Sequence, residues 1–585
     1  MFRIAQDILS ILNKKQKNNF NKIFFLLSLT SVIEFLAIIY IFDIFQYLVG
    51  IGSLKSANYF SFFFSIKFDI FNIFFILILI FVLKFFLSLY SSYSRLKYQK
   101  DLGVDISTQI LRRYLYDDIL VVKRKSNSEL IRNIELTTGN FVNGVMQHLF
   151  TIISEIIIII LVITLLSYLS TKILFFSIFN IIIIALIHYF FFKKKISKIG
   201  IEFHETSSQK LRLSTEALNG LLEIRSFQAQ EYFLKKYHSS SDNHYKSSFI
   251  LLFVQQIPRQ VIEFSVVFFI SLLIIFFFND LSKTKEIIKI LGLFGIASFR
   301  LIPSATKILH ALQGLKYTES VLREIKEETR QKYFFEKSTQ YLSQSKNNFL
   351  HKETEQKKVF FQEIVFDNVS FKYPDRDNYI FKNINLKIKK NSKTLVIGGS
   401  GLGKTTFLNL LLGFLTPIEG SIYFTDQEKN KIYIDRVSLL NLFGYVPQKS
   451  FLLKDSIKNN IAFGLNEKNI DENKINDALY FSGLENFIKT LPYGINTTLD
   501  DFASNLSGGQ VQRLSIARCF YRGSSVLIFD EPFSSLDSKN ENFIVSNVNN
   551  FAHNKTLIII SHKKIDSIVF DNTFEIKNSD IILKN

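Results

Sequence analysis

The sequence predicts a multi-domain chain, an all-α membrane domain of six helices followed by a soluble α/β domain. Three observations lead there. A length of 585 residues is too great for one domain. Long apolar runs are confined to residues 23–308, whereas residues 359–585 read as a soluble protein and hold five of the seven prolines. Early in that second part an apolar strand runs into a glycine-rich turn and then a helix.

A membrane span needs about 20 apolar residues, because lipid cannot satisfy exposed backbone groups. Six segments qualify: 23–50, 68–92, 149–168, 172–194, 249–278 and 286–308. The runs "SEIIIIILVITLL" and "FFSIFNIIIIALIHYFFF" carry this most strongly, and Lys289 and Arg300 interrupt the last. Orientation follows from Lys and Arg beside the spans. Residues 1–22, 93–148 and 193–247 hold five, nine and ten, against two, none and two in 51–67, 169–171 and 279–285. Both termini and the two long loops therefore face the cytoplasm, in a multi-pass protein of the cytoplasmic (inner) membrane.

Residues 1–22 read as an amphipathic interfacial helix rather than a signal peptide, since no small-residue cleavage site follows. The membrane domain covers 23–325, with the long loops 93–148 and 193–247 as helical extensions of the spans. In the second loop Leu218, Leu221, Leu222 and Phe227 fall on one apolar helix face. Residues 326–358 are charged and aperiodic and read as a linker, and 359–585 form the soluble domain.

The net charge of +19 is explained by basic residues flanking the spans; with no compact basic patch or nucleic-acid motif, no nucleic-acid partner is expected. The single Cys519 excludes an intrachain disulfide. Charges inside spans are expensive and need a reason. Glu34 and Asp43 lie in the first span, Arg259 and Glu263 four residues apart in the fifth, and Arg300 in the last. Arg259, Glu263 and Arg300 line a candidate polar substrate path. The alternatives are snorkelling to an interface and a self-neutralising pair.

In the soluble domain, "SKTLVIGGSGLGKTTFLNLLLG" meets the G-x-x-x-x-G-K-[ST] pattern at Gly398, Gly403, Lys404 and Thr405. Glycines let backbone N–H groups turn around phosphate oxygens, and the helix N-terminus adds positive potential. Lys404 would reach the β- and γ-phosphates, and Thr405 would ligate Mg²⁺. The apolar run "SSVLIFDEP" ends in Asp530, suited to the Mg²⁺ side, and Glu531, placed to polarise an attacking water. "LIIISH" is a third strand, ending in His562.

With these residues in order, 359–585 resembles the α/β P-loop NTPase domain of an ATP-binding cassette (ABC) transporter. "VSFKYP" supplies Tyr373, like the aromatic that stacks on adenine. "GYVPQ" supplies Gln448, like the residue that senses Mg²⁺. "LSGGQ", Leu506–Gln510, matches the signature sequence, and "SSLD", Ser534–Asp537, the loop that crosses the dimer interface. The resemblance implies an ATP cradle of Tyr373, Gly398, Ser400, Gly401, Gly403, Lys404, Thr405 and Thr406. It implies catalysis by Glu531, His562 and Gln448, and Mg²⁺ held by Thr405, Gln448 and Asp530. Ser507, Gly508, Gly509, Gln510 and Asp537 would touch ATP bound to a second half-transporter. The stretch before the signature, "TTLDDFASN", lacks the Glu and Gly of many exporters.

Six spans followed by one cassette resembles an exporter-type half-transporter, an ATPase that couples ATP to translocation as a homodimer, or as a heterodimer with a relative. "SFRLIPSATKILHALQ", Ser298–Gln313, is similar to the last span of lipid-linked oligosaccharide flippases, so a lipid-linked or amphipathic substrate is implied. Export of a lipid, a drug or a peptide is the alternative. An ATP-gated channel and a membrane-tethered ATPase are the readings of another class.

Overall fold

In the computed structural model the described residues are 2–48, 70–169, 196, 198–277, 284–330, 360–434, 436–499, 506–533 and 538–584. The chain divides into two compact units. One is Met1–Asp117 with Val121–Asn347, and the other is Asp118–Leu120 with Asn348–Asn585.

The first unit is helical: α1 (Phe2–Ile11), α2 (Lys14–Leu48), α3 (Ile70–Tyr116), α4 (Gln147–Leu169), α5 (Gln230–Phe277), α6 (Thr284–Tyr317) and α7 (Glu319–Arg330). The first, second, third, fifth and sixth expected spans fall largely within α2, α3, α4, α5 and α6. The fourth, and the expected linker from residue 331 on, lie outside the described residues. Among the described residues three helical stretches are long and apolar enough to cross a membrane: Lys14–Ile41, Phe74–Tyr116 and Asn127–Ser167. On α3, Phe75, Ile78, Phe85 and Phe86 are all more than half exposed. Such a surface fits lipid, not water. Helix α3 has 47 residues, about 70 Å at the usual rise, so it is far longer than the bilayer is thick.

One apolar cluster holds α1, α3, α4, α6 and α7 together through Ile8, Leu102, Phe141, Phe150, Leu315 and Ile325. Helix α1, expected at a membrane interface, buries Ile8 and the following Leu12 here, and its Asp7 pairs with Lys326 of α7. Helix α7 is also held by Glu328, a buried carboxylate that receives Arg113 at 2.8 Å and also Lys125. The apolar face expected at Leu218, Leu221, Leu222 and Phe227 is exposed, at 72%, 42%, 77% and 81%. The cause is local. Gly220 ends the preceding helix and starts a short one, Leu221–Ser226, whose buried residue is Ile224. A glycine favours such a break because it loses most entropy inside a helix.

His204 borders a cleft of about 380 Å³, lined also by Arg132, Ser208, Ser320 and Glu324. Burial, with the charge of Arg132, lowers its imidazole from 6.5 to about 4. The folded chain thus keeps His204 neutral where the unfolded chain protonates it, so stability falls as pH drops from 6.5 toward 4. Between pH 7 and pH 5 the helical unit should lose about 2 kcal/mol from this group. Thermal unfolding at both pH values should show a loss that His204→Phe largely removes; an equal loss in that variant removes His204 as its source.

The second unit holds a six-stranded sheet in the order β10-β9-β3-β8-β7-β6 and a four-stranded antiparallel sheet in the order β2-β1-β4-β5. The strands are β1 (Glu363–Phe371), β2 (Phe381–Lys389), β3 (Lys393–Gly398), β4 (Glu419–Thr425), β5 (Lys431–Ile432), β6 (Phe443–Val446), β7 (Val526–Asp530), β8 (Thr556–Ser561), β9 (Asn572–Lys577) and β10 (Asp580–Lys584). Strands β9, β3, β8, β7 and β6 are parallel, and β10 is an antiparallel edge. Every residue of β7 is buried, as expected of a parallel strand covered on both faces. One face packs on α8 (Lys404–Leu411) and the smaller sheet through Phe366, Val396, Phe407 and Ile528. The other packs on α9 (Gly508–Arg522) and α10 (Ser538–Phe551) through Leu395, Ile516, Phe529 and Ile544.

Candidate functional site: a phosphate loop at the carboxyl edge of the parallel sheet

In an open parallel sheet, ligands bind at the carboxyl ends of the strands. Here four neighbouring strands deliver the expected residues to that edge. The phosphate loop leaves β3 at Gly398, Asp530 and Glu531 end β7, His562 follows β8, and Gln448 follows β6. The loop enters α8 through Gly403, which has φ +110. A Cβ there would lie 2.8 Å from Ile380 Cγ2 and 3.0 Å from Phe381 Cζ, so both conformation and space require glycine.

Lys404 Nζ donates to Gly398 O at 2.9 Å and to His562 Nδ1 at 2.7 Å, and lies 3.2 Å from Glu531 Oε1. His562 Nε2 is 2.5 Å from the same carboxylate oxygen. The tautomer protonated at Nε2 satisfies both contacts, with Nδ1 accepting and Nε2 donating. Gln448 Nε2 donates to Glu531 Oε2 at 2.6 Å. Lys404, Glu531, His562 and Gln448 are thus brought into one contact set. Tyr373 lies half-buried beside the loop, its hydroxyl 3.1 Å from Thr406 Oγ1. Ser400, Gly401 and Thr405 are exposed on the loop.

Asp530 is buried, and burial followed by the charge of Glu531 pushes its carboxyl from 3.8 up to about 6. A carboxylate so placed gains from a nearby cation, which is the fit expected of a Mg²⁺ ligand. Among the described residues no group of three His, Cys, Asp or Glu could hold a metal alone.

Ser507 caps α9. Its Oγ accepts from Gln510 N at 3.3 Å, and Gln510 Oε1 accepts from Ser507 N at 2.8 Å, a reciprocal capping box. Gly508 and Gly509 form the first turn. Asp537 lies outside the described residues. One residue not foreseen is Gln512 of α9, buried, whose Nε2 donates to Glu531 O at 3.0 Å.

In the helical unit the candidate path residues separate. Arg259 and Glu263 pair with each other at 2.8 Å, and both side chains are largely exposed. Arg300 instead joins a network that sequence reasoning missed. It lies 2.8 Å from Glu34 and 3.4 Å from Glu155; Lys84 also meets Glu34 at 2.9 Å, and Lys307 and Ser304 each meet Glu155 at 2.7 Å. The network ties α2, α3, α4 and α6 together.

Family profiles match both units in the same order. The ABC transporter transmembrane region matches residues 9–287, and the ABC transporter profile matches residues 381–534. The chain belongs to the ABC transporters. This transporter is 28% identical over 384 residues to the heterocyst differentiation ATP-binding protein HepA of Nostoc sp. (strain PCC 7120), covering 64% of this chain and 59% of that one. It is 34% identical over 200 residues to an ATP-dependent lipid A-core flippase of Bordetella avium, covering 34% and 33%. The aligned stretches thus span 59% and 33% of the lengths of these two relatives. A solved structure, that of a bacterial Atm1-family ABC exporter with ATP bound, superposes with a TM-score of 0.73 at 18% identity. The superposition covers 97% of this chain and 94% of that one. At that identity the likeness shows the fold: a helical transmembrane domain followed by an α/β nucleotide-binding domain.

Proposed function

We propose that this transporter is an exporter-type half-transporter that hydrolyses ATP to move an amphipathic, lipid-linked substrate across the cytoplasmic membrane. The observation that carries the reading is the convergence of Lys404, His562, Gln448 and Glu531 on the phosphate loop. Lys404 holds the β- and γ-phosphates, and backbone N–H groups of Gly401 to Thr405 cradle them. Thr405, Asp530 and Gln448 would hold Mg²⁺, which would supply positive charge beside the phosphates. Glu531 takes the proton of the attacking water, and His562 and Gln448 fix its carboxylate. Tyr373 stacks on adenine. Ser507 to Gln510, with Asp537, close on the ATP of a second copy, so a homodimer holds two ATPs.

ATP shifts the transporter's conformational equilibrium because it binds the closed pair more tightly than the open one. Basic residues flanking the spans support a cytoplasmic position for both termini and the cassette. An amphipathic substrate is supported by the charged network around Arg300, a polar feature within otherwise apolar helices. The flippase named among the relatives supports a lipid-linked one.

The test is flipping of labelled lipid-linked glycan in proteoliposomes containing the purified chain, alongside phosphate release. We expect ATP-dependent flipping that Lys404→Ala abolishes. ATP hydrolysis without flipping of the glycan or of any labelled lipid would refute the substrate class. No lysine-404-dependent hydrolysis would refute the enzyme.

A further inference from the structure

The backbone of Glu531 is unusual. Its φ is +51, in the left-handed region that residues with a side chain seldom adopt. Such a conformation persists only where the surroundings impose it. Two hydrogen bonds do so. Glu531 N donates to Ile560 O of β8 at 2.9 Å, and Glu531 O accepts from Gln512 Nε2 at 3.0 Å. The first comes from the neighbouring strand and is part of the sheet edge. The second comes from α9, the helix that begins at the Ser507 capping box.

We propose that Gln512 is a positioning residue for Glu531: it holds the left-handed backbone that aims the carboxylate at Lys404 and His562, and it couples that aim to the signature turn. The inference rests on the reading of Glu531 as the group that accepts the water's proton. Gln512 lies five residues after Ser507 on one short helix, and the capping box makes the turn and the helix move together. Buried beneath the helix, its amide has a fixed place rather than a choice of rotamers. A displacement of Ser507 is therefore felt at Glu531 O. The side chain touches no reacting atom in this scheme. It acts through the peptide carbonyl, and its loss should disturb the chemical step while leaving nucleotide affinity alone.

The experiment uses the chain in nanodiscs with Gln512→Met, which keeps the volume and removes the donor, and Gln512→Leu, which removes the same donor with a different apolar shape. Two readouts are taken. Amide hydrogen exchange at Glu531 and Phe533, the two amides flanking Pro532, should quicken about tenfold in both variants, since the hydrogen bond that holds the carbonyl between them is lost. Steady-state hydrolysis should show kcat reduced about tenfold or more with the KM for ATP within twofold of the unaltered protein, because the group lost serves only the step, not binding. Unchanged exchange in either variant overturns the proposal, as does faster exchange with unchanged kcat, or a fall in kcat matched by a rise in KM. Exchange reports the backbone of Glu531 whether or not the protein turns over ATP. Failure of the hydrolysis reading, seen as absence of turnover in the unaltered chain, is therefore distinguishable from failure of this one.

Discussion

Glu531→Gln should leave ATP bound and reduce steady-state hydrolysis at least a hundredfold. A general base in position contributes roughly 10²- to 10⁴-fold, and glutamine cannot accept the proton of a water. The substitution keeps the size of the side chain and suits the same backbone, so folding should be preserved. Two contacts change. The pairings of Glu531 Oε1 with Lys404 at 3.2 Å and His562 at 2.5 Å lose their charge, while Gln448 still faces an amide. A freed Lys404 can serve phosphate as well as before or better, so affinity should hold or rise. Phosphate release with parallel retention of labelled ATP on size exclusion separates the two effects. Turnover within twofold of the parent protein would mean that Glu531 is not the base.

Glu155→Ala should be the most damaging change within the helical unit. Glu155 is buried and faces Arg300, Lys307 and the wholly buried Ser304. Two cations and a hydroxyl would be left without their common partner. Removing one member of a fully buried ionic set costs about 3–5 kcal/mol, and here, with Lys307 half exposed and Arg300 still paired with Glu34 at 2.8 Å, the cost should be about 2–3 kcal/mol. Ser304→Ala removes a single hydrogen bond and should cost only about 1 kcal/mol. Thermal unfolding in detergent, compared across both variants, checks the ordering. A Glu155→Ala midpoint equal to that of Ser304→Ala would show that the network carries little of the unit's stability. Glu155→Gln should fall between, because it retains a hydrogen-bonding partner for Ser304.

The nucleotide-binding half was legible because its chemistry lies in short contiguous stretches. A phosphate loop needs glycines, a lysine and a hydroxyl within eight positions, and strand ends declare themselves as apolar runs that stop at Asp530 or His562. Contacts between distant elements were not legible. Glu155 stood at the head of "SEIIIIILVITLL" and drew no attention beside the isoleucines. Its partners on α6 depend on the register of helices far apart in sequence. Gln512 was hidden for the same reason: a glutamine on a helix gives no sign that it reaches the end of β7. The break at Gly220, within the stretch that carries Leu218 and Leu222, was not visible in the periodicity. Arg300 and Glu34 were both noticed as charges inside spans, but nothing in the sequence showed that they meet each other and Glu155 across helices.

The bond at the head of α9 also fixes which way a hydroxyl can speak. Ser507 Oγ already spends a lone pair on the amide of Gln510, and its hydrogen stays free to turn toward an incoming acceptor. An acceptor-only oxyanion arriving there can be met by that proton. Threonine would preserve that polarity, and alanine would silence it and loosen the helix end together.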